Sequence, residues 1–227
     1  MTEKAIIFDS GTLISFSMNG MLDLIVKLKS IFKGKFLIPE EVKMEIIDKP
    51  LKIKRFELEA LKLKQLLEEG ILELASKNSV NSKELRRKTQ EYLDIANNVY
   101  SGQKGGIHLI EIGEASCLAL SNILSEKGIK NVIAIDERTT RSIVEGPQSL
   151  KKFLEQKLHT KLTFNEEKQK IFQNIKFIRS TELAYVAYKK GLVNLKNGQV
   201  LDALLYAMKF KGCAISSDEI EAIKRIG

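Results

Sequence analysis

Lys4-Ala5-Ile6-Ile7-Phe8-Asp9-Ser10-Gly11-Thr12 reads as a five-residue strand that ends on an aspartate and turns. The pattern recurs much later, in Val132-Ile133-Ala134-Ile135-Asp136-Glu137-Arg138. In an open α/β sheet, side chains just beyond the carboxyl ends of parallel strands converge on the ligand crevice. Two carboxylates gathered there repel each other unless a proton or a cation intervenes. A site for a hard metal ion is therefore the first functional expectation.

Working outward from these two segments, strand and helix patterns alternate, which predicts a layered α/β fold. Leu13 to Ile31 has helical spacing interrupted near Asn19-Gly20, and Lys35 to Ile38 reads as a strand. Pro39 opens a helix to about Asp48, and Pro50 closes it. Phe56 to Leu67 is helical, Ile71 to Ala75 a strand and Ser82 to Val99 a helix, with a flexible loop over Gly102 to Gly106. Glu111 to Lys127 is a helix stopped by Gly128, ahead of the Val132 to Ile135 strand. Residues 147–174 are highly charged with helical spacing and read as an insertion between a core over 1–146 and a part, 175–227, that completes the domain. Ile175 to Ile178 is the expected last strand, followed by helices over Thr181 to Lys190, Gly198 to Phe210 and Ser217 to Ile226.

Composition narrows the function. With 227 residues, 44% of them apolar, the chain can bury a full core. No apolar run reaches the length of a membrane span, so no membrane partner is expected. The N-terminus has no signal-peptide layout, and Cys117 and Cys213 sit in apolar contexts that suit buried free thiols; both point to the cytoplasm. His108 and His159 lack zinc-type spacing, which excludes a histidine- or cysteine-rich metal site. The formal charge of +8 favours a polyanionic partner, and clusters recur at Lys52-Ile53-Lys54-Arg55, Arg86-Arg87-Lys88, Lys151-Lys152 and Lys189-Lys190. A basic surface around an acidic, metal-filled cleft suits a phosphodiester substrate.

Further acids lie between the two aspartates. Glu45 is on the short helix after the Lys35 to Ile38 strand, with Glu41 one turn earlier, and Glu114 begins a helix of small and apolar residues. One helix, a turn and one strand separate Glu114 from Asp136, which would bring both acids to the same sheet edge.

These stretches resemble a known family. Asp9-Ser10-Gly11-Thr12-Leu13-Ile14 is similar to the first motif of PIN-domain nucleases, and Pro39-Glu40-Glu41-Val42-Lys43-Met44-Glu45 to the second. Gly113-Glu114-Ala115 and Ala134-Ile135-Asp136-Glu137-Arg138-Thr139-Thr140-Arg141 resemble the third and fourth. Arg179 to Leu183 and Lys189 to Leu192 look like the C-terminal half of an archaeal and bacterial PIN-like subgroup. The resemblance implies a three-layer α/β/α fold with a mostly parallel central sheet, here carrying a helical elaboration. It implies a Mg²⁺- or Mn²⁺-dependent endoribonuclease in which Asp9, Glu45, Glu114 and Asp136 are catalytic. Asp9, Glu114 and Asp136 would hold metal, Glu45 would hold a metal-bound water, and Ser10, Arg138 and Arg141 would meet substrate. Glu137 stands where many relatives have a second Asp, which leaves open whether it joins Asp136 at the metal. RNA is the implied partner, while an antitoxin or other protein regulator and a homodimer stay open.

Three other readings compete. Asp202-Ala203-Leu204-Leu205-Tyr206-Ala207 with Ser217-Asp218 superficially resembles the last two motifs of PIN toxins and would make Asp202 and Asp218 catalytic. A phosphatase of the haloacid dehalogenase type would use Asp9 as nucleophile but needs a second Asp where Gly11 stands. A non-catalytic PIN-like RNA-binding or assembly module would keep the acids without turnover.

Overall fold

The computed structural model describes residues 3–78 and 80–226. Met1 and Thr2, read as leading directly into the first strand, lie outside the described residues. The chain begins with strand β1 (Lys4–Phe8), then α1 (Ser10–Met18), α2 (Leu22–Ile31) and β2 (Lys35–Ile38). The helix expected from Pro39 to Asp48 is composite: α3 (Glu40–Lys43) runs into a single wide π-type turn over Met44–Asp48. Lys49 N–H donates to Met44 C=O at 3.0 Å, five residues back rather than four. Pro50 opens a short 3₁₀ turn, Pro50–Lys52, instead of only ending a helix, because its missing N–H costs nothing in a first turn.

Next come α4 (Glu57–Glu68), β3 (Glu73–Leu74), α5 (Ser82–Ala96), β4 (Tyr100–Gly102) and β5 (Gly105–Gly106). The Gly102 to Gly106 stretch, expected to be a flexible loop, is thus the turn of a tight antiparallel hairpin. Strands of two or three residues are too short to show any periodicity. This one is held by tertiary packing, with Tyr100 fully buried and its ring 5.4 Å from that of Phe164. After α6 (Ile112–Glu126), β6 (Lys130–Ala134) and α7 (Arg138–Glu145) comes the charged segment, which forms α8 (Pro147–Leu158), β7 (Thr163–Phe164) and α9 (Glu166–Lys170). Strand β7 pairs antiparallel with β4, and Phe172 is fully buried with its ring edge-on to Tyr92 of α5. The chain closes with β8 (Phe177–Ile178), α10 (Ser180–Lys189), α11 (Val200–Phe210) and α12 (Ser217–Arg225).

The architecture is a three-layer α/β/α sandwich. Its central sheet has the order β3-β2-β1-β6-β8, with every pairing parallel, and a small β5-β4-β7 sheet sits apart. Ala5, Ile6, Ile7 and Phe8 are all buried, as a strand covered by helices on both faces requires. The buried core runs continuously from these residues into α6, α10 and the charged segment. From β1 the sheet grows one way through β2 and β3, and the other way through β6 and β8. The strand order therefore reverses between β1 and β6, and in open α/β sheets that reversal opens a crevice at the carboxyl ends. Phe8 pairs with Ala134 in register, so the residues after them, Asp9 and Ile135-Asp136, emerge together at the crevice. Among the described residues no helix is long and apolar enough to cross a membrane, and Cys117 and Cys213 are both free and buried.

Candidate functional site

Asp9 leaves β1 as the N-cap of α1. Its backbone N–H continues the ladder to Ala134 C=O (2.9 Å), and its Oδ2 accepts from Gly11 N–H at 3.0 Å. The cap fixes the carboxylate at the mouth of the crevice but satisfies only one oxygen. Oδ1 is buried with no hydrogen-bond partner, and the residue as a whole is 3% exposed. Burial pushes the carboxyl up to about 7, and the neighbouring Glu114 and Glu45 carboxylates add to the rise against the opposing Gly11 bond. A desolvated acid among other acids takes up a proton or a cation.

Asp136 is 2% exposed and is held at both oxygens. Ser15 Oγ of α1 donates to Oδ2 (3.0 Å), and Ser180 N–H, the first of α10, donates to Oδ1 (2.8 Å). The carboxylate thus sits at a helix N-terminus, where the macrodipole favours negative charge. Its backbone carbonyl accepts from Ala214 N–H at 3.1 Å, which ties the segment after α11 to the same strand end.

Glu114 occupies the first turn of α6. Its Oε2 accepts from Glu111 N–H (2.7 Å) in a capping interaction, and its Oε1 from Thr140 Oγ (2.9 Å) in α7. Burial raises its carboxyl above the ordinary range, while these two hydrogen bonds work the other way. Glu45, half-buried on the π-type turn, reaches over α6 at Gly113, where a Cβ would come within 2.8 Å of its Oε1. The glycine is the gap that lets this carboxylate into the crevice.

All four acids line one open cleft of about 380 Å³, together with Ser10, Gly11, Ser15, Glu137 and, from the C-terminal part, Lys211 and Gly212. Glu137 is exposed at the rim, and its Oε2 is engaged by Thr140 N–H as the N-cap of α7. Arg138 is exposed in the first turn of α7 and does not line the cleft. Arg141 is turned to the C-terminal segment, donating to Ala214 C=O at 3.0 Å. The acids of the rival C-terminal motif lie elsewhere: Asp202 accepts from Lys224 at 2.7 Å, and Asp218 is exposed in the first turn of α12. Sequence reasoning missed Ser15, Thr140, Ser180 and Lys211. The only local signal was the set of hydroxyl residues, Ser10, Thr12, Ser15 and Ser17, on a helix whose other side chains are apolar.

The donors suit a hard divalent ion, since every candidate ligand is an oxygen and Asp9 Oδ1 lacks any partner. Among the described residues, no group of three or more His, Cys, Asp or Glu side chains stands close enough together to hold a metal on its own. Mg²⁺ does not need such a group, because it keeps several waters and is usually held by one or two carboxylates plus substrate phosphate. Comparison with family models, with curated proteins and with solved structures gives no match for this chain.

Proposed function

We propose that this chain is a Mg²⁺- or Mn²⁺-dependent endoribonuclease of PIN-like architecture that hydrolyses RNA phosphodiesters in the acidic cleft. The observation that carries this reading is the unpartnered, buried Oδ1 of Asp9 in a cleft shared with Glu45, Glu114 and Asp136. The order of the four motif-like segments and the crevice between β1 and β6 support it as well.

On this reading Asp9 and Asp136 hold the metal, Glu114 binds it directly or through water, and Glu45 positions a water. When bound, the ion supplies Lewis acidity toward the phosphate and lowers the pKa of its water. The protein's own part is orientation. The α1 cap and the Ser15 and Ser180 bonds fix the two aspartates before substrate arrives, as electrostatic preorganisation requires. Ser10, at the cleft wall, is placed to contact phosphate or to steady Asp9. The free, buried thiols fit a reducing compartment such as the cytoplasm.

A second reading, an RNA-binding module without turnover, draws on the donors that already engage both oxygens of Glu114 and of Asp136. Incubation of the purified chain with a fluorescent single-stranded RNA, with Mg²⁺ or Mn²⁺ and then with excess chelator, separates the two. Nuclease function requires internal cleavage that stops on chelation and is absent from Asp136→Asn. Binding without cleavage at any metal concentration leaves the non-catalytic module.

A further inference from the structure

Two segments distant in sequence, each mixing cations with aromatic rings, border a second depression beside the acidic cleft. One is Lys52-Ile53-Lys54-Arg55-Phe56, and the other is Tyr206-Ala207-Met208-Lys209-Phe210-Lys211. The depression measures about 720 Å³, and Ile14, Glu45, Lys211 and Gly212 line both it and the cleft. Its walls are mainly apolar, with Phe56 38% exposed and Phe210 78% exposed. Phe56 and Phe210 share this lining with Ile14, Ile53 and Leu63, and an apolar patch rimmed by charged residues is the kind of surface that meets a partner.

The charges around these rings indicate what that is. The Arg55 guanidinium lies 5.4 Å from the centroid of Phe56. The Lys209 ammonium lies 5.5 Å from the ring of Tyr206, which in turn sits 5.9 Å from that of Phe210. Lys49 and Lys211 stand in the lining itself, where the acids are Glu45, shared with the cleft, and Glu59. Aromatic faces flanked by cations are the means by which proteins hold single strands: rings stack on bases while the cations follow the phosphates.

We propose that this groove takes an unpaired base of a single-stranded RNA, one step along the strand from the phosphodiester at the acids, with Phe56 and Phe210 as stacking surfaces. The inference rests on the nuclease reading for the position of the phosphodiester. It adds a requirement that the substrate be unpaired beside the cut.

The test uses fluorescence anisotropy at fixed salt in chelator, so that no cleavage intervenes. The probes are labelled oligoadenylate and an abasic ribose-phosphate oligomer of equal length. Wild-type protein is expected to bind oligoadenylate at least about tenfold more tightly than the abasic probe. Phe210→Ala and Phe56→Ala are each expected to lose about tenfold in affinity for oligoadenylate and none for the abasic probe. Since Phe210 is mostly exposed, F210A decides the matter should F56A fail to fold.

Equal losses on both probes, or no loss on either, would overturn the proposal. So would sedimentation showing a wild-type dimer that F210A converts to monomer with oligoadenylate affinity unchanged, since the groove would then be a surface between copies. Metal-dependent cleavage is scored separately on the same preparations. Base-dependent binding without cleavage removes the nuclease and keeps the groove, and cleavage without base-dependent binding does the reverse.

Discussion

Gly113 and Glu45 meet with no room to spare: a Cβ on the glycine would lie 2.8 Å from Oε1 and 2.9 Å from Oε2 of the glutamate. The clashing atoms belong to the end of a flexible side chain, so Gly113→Ala is expected to fold and displace the carboxylate. Alanine favours helix over glycine by about 0.5–1 kcal/mol, which places the stability of G113A at or slightly above wild type. Cleavage is expected to drop by roughly 10²-fold, the scale of effect when a positioned group shifts by about an ångström. Thermal melts and cleavage rates measured on one preparation check this. Full activity in a stable G113A would show that Glu45 has no part in the chemistry.

Thr140→Val removes the hydroxyl that donates to Glu114 Oε1 and leaves the Thr140 N–H that caps α7 through Glu137. The lost hydrogen bond is one of those holding the Glu114 carboxyl down against burial. Without it that carboxyl rises further, and the acid limb of the pH–rate profile moves to higher pH. About 1 kcal/mol of stability is expected to go with it. An acid limb that stays in place in T140V would mean Glu114 does not titrate in the rate-determining complex.

Asp9 makes stability depend on pH in a direction opposite to that of a salt-bridged carboxylate. Its carboxyl sits at about 7 in the folded chain against 3.8 as its ordinary value. The folded state therefore binds the proton more tightly than the unfolded chain does. Stabilisation by the protonated group is complete below about pH 4 and is lost as pH rises through 7. At about 1.4 kcal/mol per pH unit, the loss is on the order of 4 kcal/mol as an upper bound. Denaturant titrations in chelator should show wild-type stability falling across that window. Asp9→Asn, which keeps a capping side chain, should stay flatter and be the more stable of the two at pH 8. The same downward slope in D9N would assign the effect to another group.

Ser15→Ala deprives Asp136 Oδ2 of its donor at a buried position. A buried acceptor left unpaired costs about 1–3 kcal/mol, so a melt should register the loss. Added Mn²⁺ is expected to recover part of it, because a cation on Asp136 replaces the missing donor. Equal destabilisation with and without Mn²⁺ would place the ion elsewhere.

Much of the fold could be read locally. The β1 and β2 strands, the helix break near Asn19-Gly20 and the strand-terminal positions of Asp9 and Asp136 follow from short-range patterns that the structure reproduces. Wherever tertiary contacts overrode local preference, the reading failed. Glycines at 102, 105 and 106 suggested a loop, yet burial of Tyr100 against Phe164 draws that stretch into a sheet. The wide turn carrying Glu45 has no sequence signature of its own. Ser15 and Asp136 are 121 positions apart, and Ser180 lies 44 beyond Asp136. Candidate ligands were legible because each ends a strand or starts a helix. The groups that hold them were not, since only the folded chain brings them close.

A crystal soaked in Mn²⁺ and measured at the manganese absorption edge addresses the site most directly. An anomalous peak within coordination distance of Asp9 Oδ1, and bonded to Asp136 or Glu114 directly or through water, is the expected result. A peak at Asp202 or Asp218, or a cleft that stays bare of manganese, would remove the basis for metal-dependent cleavage by this chain.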